Sequence, residues 1–170
     1  MIKNNDFDIE KGVSAIVSTS NNKYFAINDA FIQRAMLSEQ GSLVLEACVE
    51  IDGAILSKFK GDGVVVSTSI GATGYSLSAG GCVIDSSLNL FEITPICPRS
   101  LSSRSTICSS DCKIKVTLCG VSSADLFVDG VRKENLKNGA CFVVEKAEKP
   151  TLFIKQKNHN FFNKYNEKFN

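Results

Sequence analysis

The sequence predicts a mostly β domain of antiparallel hairpins, with one short helix after a glycine-rich loop and one helix at the C-terminus. Three observations predict it. Several segments alternate apolar and polar residues with period two, the mark of strands with one buried face. Asp-Gly pairs stand beside such segments, at Asp52-Gly53 and Asp129-Gly130, where glycine accepts the positive φ of a tight hairpin. The other apolar runs are only three or four residues long, a strand length. With 170 residues, the chain is expected to form a single domain, 1–170, around one core.

In chain order, residues 42–51 place Leu43, Leu45, Ala47, Val49 and Ile51 on one face and Glu46 and Glu50 on the other. Asp52-Gly53 turns the chain, and Ile55 to Phe59 returns as the partner strand. Gly61-Asp62-Gly63 is a further turn signal, followed by a strand at Val64-Val65-Val66. A helix is expected from near Thr73 through Leu77 to Ala79, stopped by Gly80-Gly81. Lys113 to Leu118 alternates cleanly, and Leu126-Phe127-Val128 runs into the Asp129-Gly130 turn. Cys141 to Val144 and Leu152 to Ile154 complete the strands. From Asn160 to Phe169, Phe161, Phe162, Tyr165 and Phe169 recur at helical spacing with lysines between them.

Composition excludes several classes. A chain that is 44% hydrophobic and 22% charged is not intrinsically disordered. A net charge of +1 argues against a nucleic-acid partner. No apolar run approaches the ~20 residues of a membrane-spanning helix, so no membrane partner is expected. Met1 to Asp6 lacks a signal-peptide core, and cytoplasmic placement is expected. The seven cysteines are odd in number and mostly flanked by apolar residues, which points to buried, reduced thiols in a reducing compartment. Cys108 and Cys112 have a metal-like spacing, but no second pair or neighbouring histidine completes a zinc set, and no metal site is expected. The lone histidine, His159, reads as an exposed tail residue.

Residues 67–110 carry only four charged residues, Asp85, Glu92, Arg99 and Arg104, and are dense in serine, threonine and glycine. Two readings fit: close approach to a polar ligand, or a buried connection of small residues. Running into this region, Gly61 to Gly81 combines a carboxylate-bearing turn, an apolar strand, a glycine loop and a hydroxyl-rich helix start with Tyr75. Backbone N–H groups at such a start attract anions and oxygen acceptors. Tyr75 offers a flat ring for a base and a phenol for a hydrogen bond.

This segment resembles the glycine-rich signature of the ATP-NAD kinases: Asp-Gly, a short apolar strand, then Ser-Thr-Pro-Thr-Gly-Ser-Thr-Ala-Tyr-Ser-Leu-Ser-Ala-Gly-Gly. Three more pieces follow the family's order. Ala26-Ile27-Asn28-Asp29 is similar to its Asn-Glu/Asp motif. Ile93 to Pro98, with Ser100-Leu101-Ser102 and Arg104, is similar to the stretch after the glycine signature. Phe161-Phe162 with Lys168 is similar to its closing helix. The sequence departs from the family at Ser69 for Pro, Ile70 for Thr, Ala72 for Ser, Gly74 for Ala, Arg99 for His and Ser103 for Phe. Losing proline and gaining glycine loosens the loop.

The resemblance implies the β-rich C-terminal domain of an α/β two-domain kinase. Its reaction moves the γ-phosphoryl of ATP to the adenosine ribose 2′-hydroxyl of NAD, with Mg²⁺ or another divalent cation on ATP. It implies an NAD site of Asn28, Asp29, Lys60, Asp62, Thr73, Gly74, Tyr75 and Ser78. Tyr75 would stack on adenine, and Lys60 would face a phosphate. Residue by residue, plainer roles compete: turn chemistry for Asn28, Asp29 and Asp62, a solvated charge for Lys60, core packing for Tyr75. No Gly-Gly-Asp-Gly and no βαβ stretch precedes Asn28, so no catalytic residue is assigned and the chain is expected to be incomplete for catalysis. Implied partners are a homo-oligomer formed through the β domain and a separate N-terminal half or full-length kinase. The alternative is a non-catalytic NAD(P)-binding or regulatory subunit.

Overall fold

The structure, a computed structural model, describes residues 7–34, 44–120, 123–157 and 160–169, without the side chain of Phe169. Leu43 and His159 lie outside the described residues. The strands run β1 (Phe7–Gly12), β2 (Ala15–Ser18), β3 (Lys23–Ala26), β4 (Asp29–Arg34), β5 (Leu45–Ile51), β6 (Ala54–Gly61) and β7 (Gly63–Thr68). After a 3-10 turn at Gly71–Thr73 and helix α1 (Tyr75–Ser78) come β8 (Leu90–Ile96), β9 (Thr106–Ser109), β10 (Ile114–Cys119) and β11 (Ala124–Val128). Strands β12 (Val131–Leu136), β13 (Cys141–Lys146) and β14 (Thr151–Gln156) and helix α2 (Phe161–Phe169) complete the described elements. The expected mostly β, antiparallel class is what the structure has, and every strand pair in it is antiparallel.

Two six-stranded sheets, β3-β2-β13-β10-β5-β6 and β12-β11-β4-β7-β8-β9, share one core, and β1 pairs with β14 as a separate ribbon. Val17, Val49, Val116 and Phe142 of the first sheet and Ile32, Val64, Phe91 and Leu126 of the second belong to one buried cluster. Truncating a ring buried like Phe91 or Phe142 to alanine costs about 3–5 kcal/mol. Strand β10 shows why alternation was readable: Ile114, Val116 and Leu118 are buried, while Lys115, Thr117 and Cys119 are only half-buried. Strand β7 is buried along its whole length. Val64 and Val66 enter the core, and Val65 joins Phe31 and Ile96 in a second cluster on the sheet's other face. Tyr75, Ala79 and Phe127 pack against that second cluster.

Three expectations are corrected. Gly61-Asp62-Gly63 is not a hairpin turn, because β6 and β7 belong to different sheets and the chain changes sheet there. Its glycines permit close approach: a Cβ on Gly61 would lie 2.7 Å from the Ile96 carbonyl oxygen, and one on Gly63 2.1 Å from that of Ile32. The helix expected from Thr73 to Ala79 is divided at Gly74, whose φ of −100° and ψ of −123° leave the helical region. Of the seven cysteines only Cys48 is buried, and Cys82 and Cys97 are exposed. Apolar neighbours in sequence sit on opposite faces of a strand, so they do not report a thiol's own burial.

The tail helix forms where expected. Asn160 caps it, its Oδ1 accepting the backbone N–H groups of Phe162 at 2.9 Å and Asn163 at 3.2 Å. Phe161 meets Phe162 edge-on with centroids 5.1 Å apart.

Candidate functional site

The loop joining β3 to β4 carries Asn28, Asp29 opens β4, and the glycine loop after β7 is drawn against them. The Thr68 hydroxyl donates to the Ile27 carbonyl at 2.7 Å, and the Thr68 N–H donates to the Asn28 carbonyl at 2.8 Å. The Gly71 N–H donates back to Thr68 Oγ1 at 3.2 Å. A Cβ on Gly71 would stand 2.1 Å from the Asn28 carbonyl oxygen, so only glycine lets the two loops touch. Between them opens a cavity of ≈ 410 Å³ lined by Asn28, Asp29, Ile70, Gly71, Thr73, Gly74, Tyr75, Asp129, Gly130 and Lys168.

Asp129 organises one wall. Its carboxylate accepts the backbone N–H groups of Ile27 at 2.9 Å, Asn28 at 2.7 Å and Asp29 at 3.2 Å. Its own N–H donates to the Asp29 carbonyl at 3.0 Å. Its φ is +47°, a conformation that aspartate tolerates better than most residues. The same Asp-Gly pair thus turns the hairpin and pins Asn28 and the start of β4.

Asp29 is the unusual group. It is 7% exposed, and its Oδ1 has no hydrogen-bond partner among the described residues. Burial first, and the nearby Asp129 charge second, push its carboxyl up to about 6. A buried carboxylate with a spare oxygen on a cavity wall is an acceptor set for a ligand hydroxyl or amine.

Tyr75 supplies the apolar wall. Its ring stands edge-on to Phe31 with centroids 4.7 Å apart, and Phe31 stacks on Phe127 at 4.7 Å. Burial raises the Tyr75 phenol above its ordinary value, helped by the charges of Cys97, Asp62 and Asp29. Lys168, from the last turn of α2, is the basic side chain among the lining residues.

Of the eight residues expected to bind ligand, the fold brings Asn28, Asp29, Thr73, Gly74 and Tyr75 to this cavity. Lys60, Asp62 and Ser78 are not among its lining residues. Lys60 pairs with Glu46 of the neighbouring strand at 2.7 Å. Asp62 stands 3.9 Å from Arg34 Nε. The Ser78 hydroxyl turns back to the Gly74 carbonyl at 3.5 Å. Asp129 was legible only as a turn residue, and Ile70 and Lys168 only through the family pattern. Within residues 67–110, Ile70, Gly71, Thr73, Gly74 and Tyr75 border the cavity, while Ser67, Thr68, Ser69 and Thr94 are buried.

Two antiparallel sheets that carry a glycine loop, a short aromatic-led helix and a buried carboxylate around a cavity define a β-rich domain. The model of the ATP-NAD kinase C-terminal domain matches residues 31–156. The chain belongs to the ATP-NAD kinase family. It is 33% identical over 146 residues to the NAD kinase of Carboxydothermus hydrogenoformans, covering 85% of this chain and 51% of that one. It is 33% identical over 162 residues to the NAD kinase of Fusobacterium nucleatum, covering 95% and 60%. Among solved structures, yeast NADH kinase complexed with NADH superposes with a TM-score of 0.86 at 27% identity, over 95% of this chain and 49% of that one. The NAD kinase of Archaeoglobus fulgidus in complex with ATP gives 0.75 at 28% identity, over 94% and 61%. The chain spans about half the length of the Carboxydothermus relative.

Proposed function

We propose that this chain is the NAD-holding part of an NAD kinase, which makes NADP and ADP from NAD and ATP. The observation that carries the proposal is Asp29, a buried carboxylate with an unpartnered oxygen on the wall of the cavity beside Asn28 and Tyr75. A dinucleotide's adenosine presents ribose hydroxyls for such an acceptor and a flat base for Tyr75. Thr73 and Gly74 border the base, and Asn28 adds amide donors and an acceptor. Asp62 acts at longer range, through its charge on the Tyr75 phenol. Lys60 and Ser78 stand outside the direct contacts. Relatives whose names are NAD kinase, and neighbours solved with NADH and with ATP, support this assignment.

Phosphoryl transfer needs positioning and charge stabilisation more than protein covalent chemistry. Among the described residues no group of three or more His, Cys, Asp or Glu side chains could hold a metal ion. The divalent cation is proposed to arrive on the phosphates of ATP, as part of the substrate. No helix among the described residues is long and apolar enough to cross a membrane, and seven unpaired cysteines suit a reducing compartment such as the cytoplasm. The remaining half of the enzyme is proposed to come from an N-terminal α/β domain, with homo-oligomers formed through the β domain. The test is NADP formation from NAD, ATP and Mg²⁺. No turnover is expected from the chain alone, and turnover is expected once the N-terminal half of a relative is supplied. Robust turnover by the isolated chain would refute the claim that it is incomplete.

A further inference from the structure

We propose that Glu92 is a positioning residue: through Ser76 it fixes α1, and with it the ring of Tyr75 at the cavity wall. What this does for binding rests on the nucleotide function proposed above, whereas the grip on α1 does not. Glu92 lies in β8, between β7 and β9, and is 0% exposed. A carboxylate there is costly to bury unless its oxygens are satisfied. Its partners come from one short stretch of chain. The Ser76 hydroxyl donates to Oε2 at 2.7 Å, and the Cys82 backbone N–H donates to Oε1 at 2.6 Å. The carboxylate therefore holds α1 and the segment just beyond it.

The double glycine between these two donors makes the approach possible. Gly80 has a φ of +95°, and a Cβ on Gly81 would lie 2.6 Å from Ser76 Oγ and 2.9 Å from Glu92 Oε1. The Ser76 oxygen also meets Thr94 Oγ1 at 2.7 Å, and Thr94 Oγ1 meets Ser105 Oγ at 3.1 Å. Ser76 gives its proton to Glu92, so its oxygen accepts from Thr94, and the Ser105 hydroxyl beyond stands between Thr94 Oγ1 at 3.1 Å and the Gly80 carbonyl at 3.5 Å. The Thr94 and Ser76 hydroxyls form one directed chain ending on Glu92. Helix α1 has four residues and no side-chain cap at its start, far too few to hold itself by its own hydrogen bonds. Its orientation is a tertiary property, set on one side by the Phe31–Tyr75 contact and on the other by Glu92 and Ser76.

The test compares Glu92→Leu, Glu92→Gln and Ser76→Ala in the full chain, reading the Tyr75–Phe31 ring contact by NMR and the dissociation constant for NAD. Leucine keeps the volume and leaves both donors without an acceptor, so the ring contact is lost and the constant rises about tenfold or more. Glutamine lets its amide oxygen take the Cys82 N–H and its NH₂ donate to Ser76, whose hydroxyl turns to Thr94. The chain reverses, and both readouts stay within about twofold of wild type. Ser76→Ala shifts both readouts as leucine does, and decides the matter if Glu92→Leu does not fold. A role confined to stability would lower the Tm and leave the constant in place. A folded Glu92→Leu or Ser76→Ala with the wild-type ring contact overturns the proposal, as does a Glu92→Gln as damaging as leucine. If wild type fails to bind NAD, the proposed function falls and the ring contact still decides this inference.

Discussion

Replacing Asp29 by asparagine is expected to make the unliganded chain more stable and its cavity a poorer host. In the fold the carboxyl is pushed from 3.8 to about 6 by burial and by Asp129. At about 1.4 kcal/mol per pH unit, that interval corresponds to about 3 kcal/mol by which ionising Asp29 opposes folding at neutral pH. The sign follows from proton counting. Between the unfolded and folded values the native chain holds one proton more than the unfolded chain, so this contribution falls as pH rises through the window and levels off above about 6. Asparagine abolishes the window, and its amide can donate toward the Asp129 carboxylate. The buried amide recovers only part of the interval, so a net gain of about 1–3 kcal/mol is expected above the window. Urea unfolding of both proteins across the window isolates the effect, since every other carboxylate is common to the pair. The reasoning is refuted if the two stabilities run parallel with pH, or if the variant is the less stable above pH 6. NAD affinity is expected to fall about tenfold or more in the same variant, because a charged acceptor becomes a neutral one.

Other changes test the neighbouring contacts. Gly71→Ala brings a Cβ to 2.1 Å from the Asn28 carbonyl oxygen, and a drop of at least about 1–3 kcal/mol in unfolding free energy is expected, with loss of NAD binding. Asp129→Asn keeps a residue that tolerates the positive φ but weakens three backbone hydrogen bonds. The repulsion it relieves is the smaller cause of the Asp29 shift, so a net loss of about 1–3 kcal/mol in stability is expected, with weaker NAD binding by titration calorimetry. In wild type, NAD affinity should fall as pH drops through about 6, where Asp29 takes up its proton. A flat affinity profile across that range would remove Asp29 from the contacts.

Much of the fold was legible where one face of a strand meets the core, as in β10, where the burial pattern is the sequence pattern. It was illegible where that condition fails. Residues 29–32 of β4 are buried without alternation, and β12 is a polar edge strand. Strand β8 hides behind Glu92 and Pro95. Its pairing with β9 ends at Ile93, so the missing Pro95 N–H costs no bond to that neighbour. The site divides in the same way. Asn28, Asp29 and the Thr73 to Tyr75 run are adjacent in sequence and carry a motif. Asp129 grips Asn28 across 101 positions, and nothing local separates its Asp-Gly pair from Asp52-Gly53. Asp52 also has a positive φ and accepts a backbone N–H, from Lys113 at 2.8 Å. What each carboxylate faces is decided by how the strands are ordered.

The central claim is that the cavity between the Asn28-Asp29 pair and Tyr75 holds the adenosine part of NAD. Titrating NAD into the isotope-labelled chain and following its backbone amide resonances tests this most directly. Saturable shifts concentrated at Asn28, Asp29, Thr73, Gly74 and Tyr75 are the predicted result. Shifts confined to other surfaces, or none in a folded sample, would contradict it.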